Sequence, residues 1–382
     1  MRDNWQIKKI GDVCIDFIVP QRDKPKVFGG DIPWCRIEDI QGKYLNGSLS
    51  GQKVTKSLAE SMNMHICPKG TVICACSASI GNQAITTVDC YTNQTFIGIV
   101  PNPGIIFNEF LYYFFKSKKE ELIQMGTGAT IKYISRKKFE NLEICFPSVK
   151  EQHRIVDELN LLADIIDKKN AQLLDLDALT KSIFYEMFGD PSESKYPVAK
   201  LSSLATGKLS YGSGASAIIF DGQTRYVRIT DIQEDGRLSP DAMSPSQYDA
   251  KYLLNDGDIL FARSGATVGK TYLYDSKDGN AIYAGYLIRL VPNQEIVLPE
   301  YIYHFTRSHY YRAFIASNVQ AVAQPNINAQ QYGNLSVCVP PISEQKVFAE
   351  EIHSLESKRD MIWSSIKDTQ TLLDSRMSHY FG

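Results

Sequence analysis

Two stretches decide how this chain is read: Asn141–Gln152, NLEICFPSVKEQ, and Asn334–Gln345, NLSVCVPPISEQ. Each pairs an Asn-Leu opening and an alternating strand with a proline break and a Glu-Gln that opens a helix. Their offset of 193 holds through Phe188-Gly189 against Phe381-Gly382. Upstream the match continues with small insertions. Arg36-Ile37-Glu38-Asp39-Ile40 pairs with Arg228-Ile229-Thr230-Asp231-Ile232, and Val100-Pro101-Asn102 with Val291-Pro292-Asn293. Gly70-Thr71-Val72-Ile73 followed by Cys76-Ser77 pairs with Gly257-Asp258-Ile259-Leu260 followed by Arg263-Ser264. A self-similarity of this length means one unit of about 190 residues written twice.

Each unit has two parts. The first carries short Val, Ile, Tyr and Thr runs punctuated by Gly, Asn-Gly and Pro, which read as strands and turns. One aromatic-rich helical stretch interrupts them, near 108–121 and again near 299–316. That is a mixed α+β globular part. The second part is a long helix, over about 151–188 and 344–381. Ile155, Leu159, Leu162, Ile166, Leu173, Leu176, Ile183 and Met187 keep helical steps in one copy. Phe348, Ile352, Leu355, Ile362, Ile366 and Leu373 keep them in the other. Such a seam predicts a coiled-coil pair, with Lys169, Thr180 and Arg359 as interruptions that set register. A single amphipathic helix lying on a globular core is the alternative. Gly189-Asp190-Pro191 stops the first helix.

The 382 residues carry 41 Lys/Arg, 43 Asp/Glu and a net charge of −2, which on average argues against a polyanion binder. By segment the picture differs. Residues 1–147 hold 18 basic and 14 acidic residues, 148–195 hold 6 and 10, 196–340 hold 12 and 12, and 341–382 hold 5 and 7. Acid gathers on the helices, and the first globular part is mildly basic.

Seven of the eight cysteines lie in the first half, which does not suit a disulfide framework. No apolar run reaches the roughly 18 residues of a membrane span. Met1-Arg2-Asp3-Asn4-Trp5 has no apolar segment behind it, so a cytoplasmic chain with reduced thiols and no signal peptide is expected. Walker A, G-x-S-x-G and H-E-x-x-H signatures are missing. The six histidines form no ligand-spaced cluster, and Cys74-Ala75-Cys76 reads as buried strand thiols rather than a metal site.

The positive signals are polar turns that recur. Arg263-Ser264-Gly265-Ala266-Thr267-Val268-Gly269-Lys270 follows a buried strand with two cations, hydroxyls and backbone N–H groups, a set suited to phosphate. A solvated turn is the plain alternative. Gln320 and Gln324-Pro325-Asn326-Ile327-Asn328 precede the strand into the second helix. In the first copy Thr130, Lys132 and Tyr133 stand there, with Arg136 and Lys137 beyond, and Ser77 and Ser79 occupy the strand turn. Amide and cationic side chains are those that contact adenine and guanine edges; a helix-capping turn is the alternative.

The whole layout resembles the specificity (S) subunits of type I restriction–modification enzymes. The resemblance rests on R-I-x-D-I at 36–40 and 228–232, on Gly257–Gly265, and on the Glu-Gln stretches 142–152 and 335–345. The first copy departs from the pattern where Cys76 replaces a cation. The resemblance implies target-recognition domains at 1–147 and 191–340, and long spacer helices at 148–190 and 341–382 that pair antiparallel. It implies double-stranded DNA as ligand and no catalysis or cofactor in this chain. Two methyltransferase (M) subunits would bring S-adenosylmethionine and adenine-N6 chemistry, and restriction (R) subunits ATP and Mg. Expected DNA contacts add Arg36 and Arg228 to the residues above: Ser77, Ser79, Thr130, Lys132, Tyr133, Arg136, Lys137, Arg263, Ser264, Thr267, Lys270, Gln320, Gln324, Asn326 and Asn328. Two unequal recognition domains in one chain should read unlike half-sites separated by a gap near one helical turn, about 34 Å. A coiled-coil adaptor for proteins, or an enzyme in its own right, are the competing readings.

Overall fold

Strand Gln6–Lys9 runs antiparallel to Glu143–Phe146, and Val198–Lys200 repeats that pairing with Ser336–Cys338. The computed structural model describes residues 4–20, 24–128, 132–319 and 325–382. It divides into two compact units, 1–170 with 364–382, and 171–363. Each unit therefore takes a piece of both long helices.

The first unit holds a five-stranded sheet in the order Cys14–Ile18, Phe96–Pro101, Val72–Ala75, Gln83–Thr86, Tyr44–Leu45. Four strands, Ser210–Tyr211, Leu287–Leu290, Ile259–Ala262 and Thr271–Leu273, form the corresponding sheet of the second. The central strands VICA and ILFA are buried along their length, as their continuous apolar sequence requires.

The aromatic stretch of each copy forms two helices rather than the one expected. They are Asn108–Ser117 and Lys119–Met125, then Pro299–Phe305 and His309–Val319. The breaks fall where Ser117 and Thr306 hydroxyls donate back to the carbonyls of Phe114 (2.7 Å) and Tyr303 (2.6 Å). Ser308 Oγ then caps the restart by accepting from Tyr311 N–H at 3.2 Å.

The long helices are Val149–Phe188 and Ile342–Phe381, 40 residues each, or about 60 Å. Gly189, at φ +74°, ends the first in the left-handed conformation that glycine favours. Inside the first unit the helix pieces run antiparallel. Glu158 meets Arg376 at 2.9 Å and Tyr380 at 2.8 Å, and Lys169 bonds Ser365. Inside the second unit they do so again, with Asp177 at 3.7 Å from Arg359 and Phe184 against Phe348. The seam interruptions Lys169 and Arg359 are thus polar register pins. Both expected packings occur together: Ile155, Leu159, Met377 and Phe381 also join the first globular core, with Phe381 5.0 Å from Phe110.

All eight cysteines are free. Among the described residues no helix is long and apolar enough to cross a membrane.

Candidate nucleic-acid interface

The Glu-Gln stretch fixes each globular part to its helix. Gln152 is fully buried; its Oε1 accepts from Phe107 N–H (2.7 Å), and its Nε2 donates to the Ile105 and Pro147 carbonyls, both at 2.9 Å. Gln345 repeats this with Leu298 N–H (2.8 Å) and the carbonyls of Ile296 (3.2 Å) and Pro340 (2.7 Å). A second tie joins Glu109 to Asn160 of the helix at 2.9 Å, with Lys43 and Tyr44 also on the carboxylate. Burial opposes its ionised form, yet the bonds from Asn160, Lys43 and Tyr44 hold the Glu109 pKa below the ordinary value. Glu300 and His353, 3.2 Å apart, occupy the same place in the second unit.

The R-I-x-D-I segment is a staple. Asp39 accepts from the N–H groups of Arg36 (2.6 Å) and Leu49 (2.7 Å). Buried Asp231 accepts from Arg228 N–H at 2.9 Å, and from its guanidinium at 3.0 and 2.6 Å. Arg36 ion-pairs with Glu38 at 3.0 Å and lies 6.0 Å from the Trp34 ring centre. Both arginines, expected on DNA, are engaged inside their own units.

The strand turns form the same frame in both units. Ile134 N–H donates to the Cys76 carbonyl at 2.8 Å, with Ser77 bridged to Tyr133; Ile327 N–H donates to the Arg263 carbonyl at 2.8 Å, with Ser264 bridged to Asn326. Equivalent backbone positions thus carry unlike side chains. Arg263 Nε donates to Asn326 Oδ1 at 3.2 Å, and its guanidinium lies 4.8 Å from the Tyr211 ring centre. Tyr286, 62% exposed, accepts Arg263 N–H with its carbonyl at 3.1 Å. Neither tyrosine stood out in the sequence, since nothing local ties them to the turn. In the first unit Cys76 is buried, its thiol pushed up to about 12 by desolvation, and Tyr133 is the exposed partner.

Other candidates are placed differently. Asn328 caps the helix Ala329–Gly333, Oδ1 accepting from Gln331 N–H at 2.9 Å in a capping box. Lys270 binds Glu234 at 2.8 Å and the Ile232 carbonyl at 3.3 Å. Thr267 Oγ1 donates to the Ser264 carbonyl at 3.2 Å. Arg136 is held by Glu140 (2.6 Å) and the Phe17 carbonyl (2.9 Å). Ser79 N–H donates to the Ser77 carbonyl at 2.6 Å, which tightens the first turn around Ala78 at φ +57°. Lys132 and Lys137 are exposed. Thr130, Gln320 and Gln324 lie outside the described residues.

Comparison with known proteins bears on this arrangement. The family profile described as "Type I restriction modification DNA specificity domain" matches residues 2–176 and 198–367. The specificity subunit of type I restriction enzyme MjaIX from Methanocaldococcus jannaschii is 31% identical over 192 residues, 49% of this chain but only 44% of that relative. The MjaVIII specificity subunit of the same organism is 21% identical over 93% of this chain and 87% of its own length. The solved type I S subunit from M. genitalium shares the fold, with a TM-score of 0.58 at 15% identity, over 99% of this chain and 96% of that one. With two such domains, each closed by a long helix, the chain belongs to the type I restriction–modification DNA specificity family, as one of its specificity subunits.

Proposed function

We propose that this chain is a non-catalytic DNA reader in which each unit recognises one half of a bipartite, gapped target. The carrying observation is the shared turn frame with unlike side chains: Cys76 and Tyr133 in one unit, Arg263 and Asn326 in the other. A common frame with different side chains is how one scaffold comes to prefer two sequences, because base-edge contacts specify while the backbone frame positions. Arg263, Ser264, Asn326, Ser77 and Tyr133 are the residues we assign to DNA, with Lys132 and Lys137 as phosphate contacts. Gln320, Gln324 and Thr130 flank the same turns in sequence. Arg36, Arg228 and Asn328 act instead through the shape of their segments.

The acid-rich long helices serve as the dock for two M subunits, which bring S-adenosylmethionine and methylate adenine N6; R subunits bring ATP and Mg. A target base must leave the duplex for methylation, and the receiving pocket belongs to the methylating partner. Linking two weak readers in one chain raises avidity by making the second contact intramolecular.

Exchanging residues 1–147 for the corresponding domain of another family member, in cells supplying the partner subunits, should change one half of the methylated sequence and leave the other intact. Methylome sequencing reads this directly. An unchanged methylated sequence would refute the proposal, and a change in both halves would refute the division of labour.

A further inference from the structure

Beside the Arg263–Lys270 turn, the second unit contains a cavity of about 560 Å³. That volume lies in the range of about 300–1,000 Å³ typical of small-ligand sites. Val268, Tyr311, Ile315 and Val319 form its apolar wall. Lys181, Arg307 and Arg312 bring positive charge to it. Among the described residues none of these three has a carboxylate partner. Among the described residues the Arg307 side chain bonds the Asp235 carbonyl (2.6 Å) and the Tyr303 hydroxyl (2.5 Å), and its Nε is buried without a partner. Arg312 donates to the Arg307 carbonyl at 3.3 Å. The one acid on the lining, Glu234, is 89% exposed and already paired with Lys270.

The internal repeat supplies a control. A cavity of about 370 Å³ in the first unit, lined by Lys116, Lys118 and Asp374, shares two repeat positions with it. By the offsets of the repeat, Lys116 matches Arg307 and Asp374 matches Lys181. At these two shared positions the first unit sets Asp374 near Lys116, whereas the second sets a second cation, Lys181, with Arg307.

We infer that the cavity of the second unit is a phosphate-binding site, taking a phosphate through Lys181, Arg307 and Arg312 and an attached apolar group against Ile315 and Val319. Guanidinium forks match phosphate oxygens two at a time, and a lysine adds a point charge. A duplex backbone and a free nucleotide offer the same chemistry, so the test separates them. The site differs from the base-reading residues, and its occupancy is independent of which sequence the turns recognise.

The cavity methyls of Val268, Ile315 and Val319 report binding in the full chain by methyl NMR. Titration uses inorganic phosphate, adenosine 5′-monophosphate and a short duplex, the small ligands up to about 10 mM, where millimolar affinities are visible. Movement with either small ligand supports the site and a free anion as its source; movement with the duplex alone supports it with the DNA backbone as source. In the Lys181→Ala/Arg312→Ala protein, whose changed side chains are both on the rim, the response should weaken at least tenfold. Absence of movement with all three probes, or a response that survives the double substitution unchanged, overturns the inference. The sequence methylated by the complex is a separate readout, so failure here leaves the half-site proposal standing or falling by its own experiment.

Discussion

Asp258→Ala should destabilise the second unit by about 3 kcal/mol, because it leaves a largely buried arginine without its counter-charge. Asp258 is 1% exposed; its Oδ2 accepts from Arg289 at 2.6 Å and from Asn255 N–H at 2.6 Å. Removing the carboxylate orphans that N–H and leaves the guanidinium with two neutral partners, the Leu253 carbonyl at 3.0 Å and the Tyr283 hydroxyl. Burial raises the Asp258 pKa even with Asn255 and Arg289 bonded to it, so the ionised pair is kept at a net desolvation cost. It follows that removing both partners is milder than removing one. The repeat has already made that replacement: Thr71 matches Asp258 and Gly98 matches Arg289, and a Cβ on Gly98 would lie 3.3 Å from Thr71 Cγ2. Asp258→Thr/Arg289→Ala should therefore lie within about 2 kcal/mol of the parent chain. Hydrogen exchange of the Ile259–Ala262 amides reads the effect, with Val72–Ala75 as internal reference. A single substitution no worse than the double would contradict the argument.

Gln345→Leu should cost the second unit about 3 kcal/mol, from three lost bonds at about 1 kcal/mol each, and Gln152→Leu should do the same in the first. For a unit of this size that lowers the melting temperature by roughly 6–12 °C. The Leu298 amide should lose exchange protection before the sheet does. Gln345→Glu separates the two halves of the clamp: it keeps an acceptor for Leu298 N–H but loses the donor to Ile296 and Pro340. Its buried carboxylate, facing carbonyls, would have a folded-state pKa above the unfolded one. The protonated form is then the stabilised one, and its deficit should shrink as pH falls through that raised pKa. A Gln345→Glu protein whose stability ignores pH would rule out the clamp geometry.

The repeat, the α+β class and the paired helices were legible because they rest on periodicity and on offsets that survive divergence. Recurrence alone, however, does not separate a residue that holds the turn from one that touches a ligand. Arg228 and Asp231 recur because a buried aspartate gathers backbone and guanidinium donors, and that is a fact of three-dimensional proximity. The role of Asn328 was readable: Asn328-Ala329-Gln330-Gln331 carries the spacing of a capping box. Tyr211 lies fifty-two positions from Arg263, and no local pattern links them. The break in each aromatic helix was hidden because back-bonding hydroxyls also sit inside unbroken helices, as at Ser317 and Thr369, so a serine or threonine in the sequence does not by itself mark an end.

The division of the long helices between units has a consequence in time. The first unit needs residues 364–382, where Phe381 packs on Phe110 and Arg376 meets Glu158. The second is complete once Trp363 has been made. Translation at about 5–20 residues per second leaves Asn170 waiting on the order of ten to forty seconds for its missing helix. The unit begun first is therefore the one finished last. Over that interval Phe110 lacks Phe381, and Glu158 lacks Arg376 and Tyr380, on the nascent chain, where a chaperone or a second nascent copy could take their place.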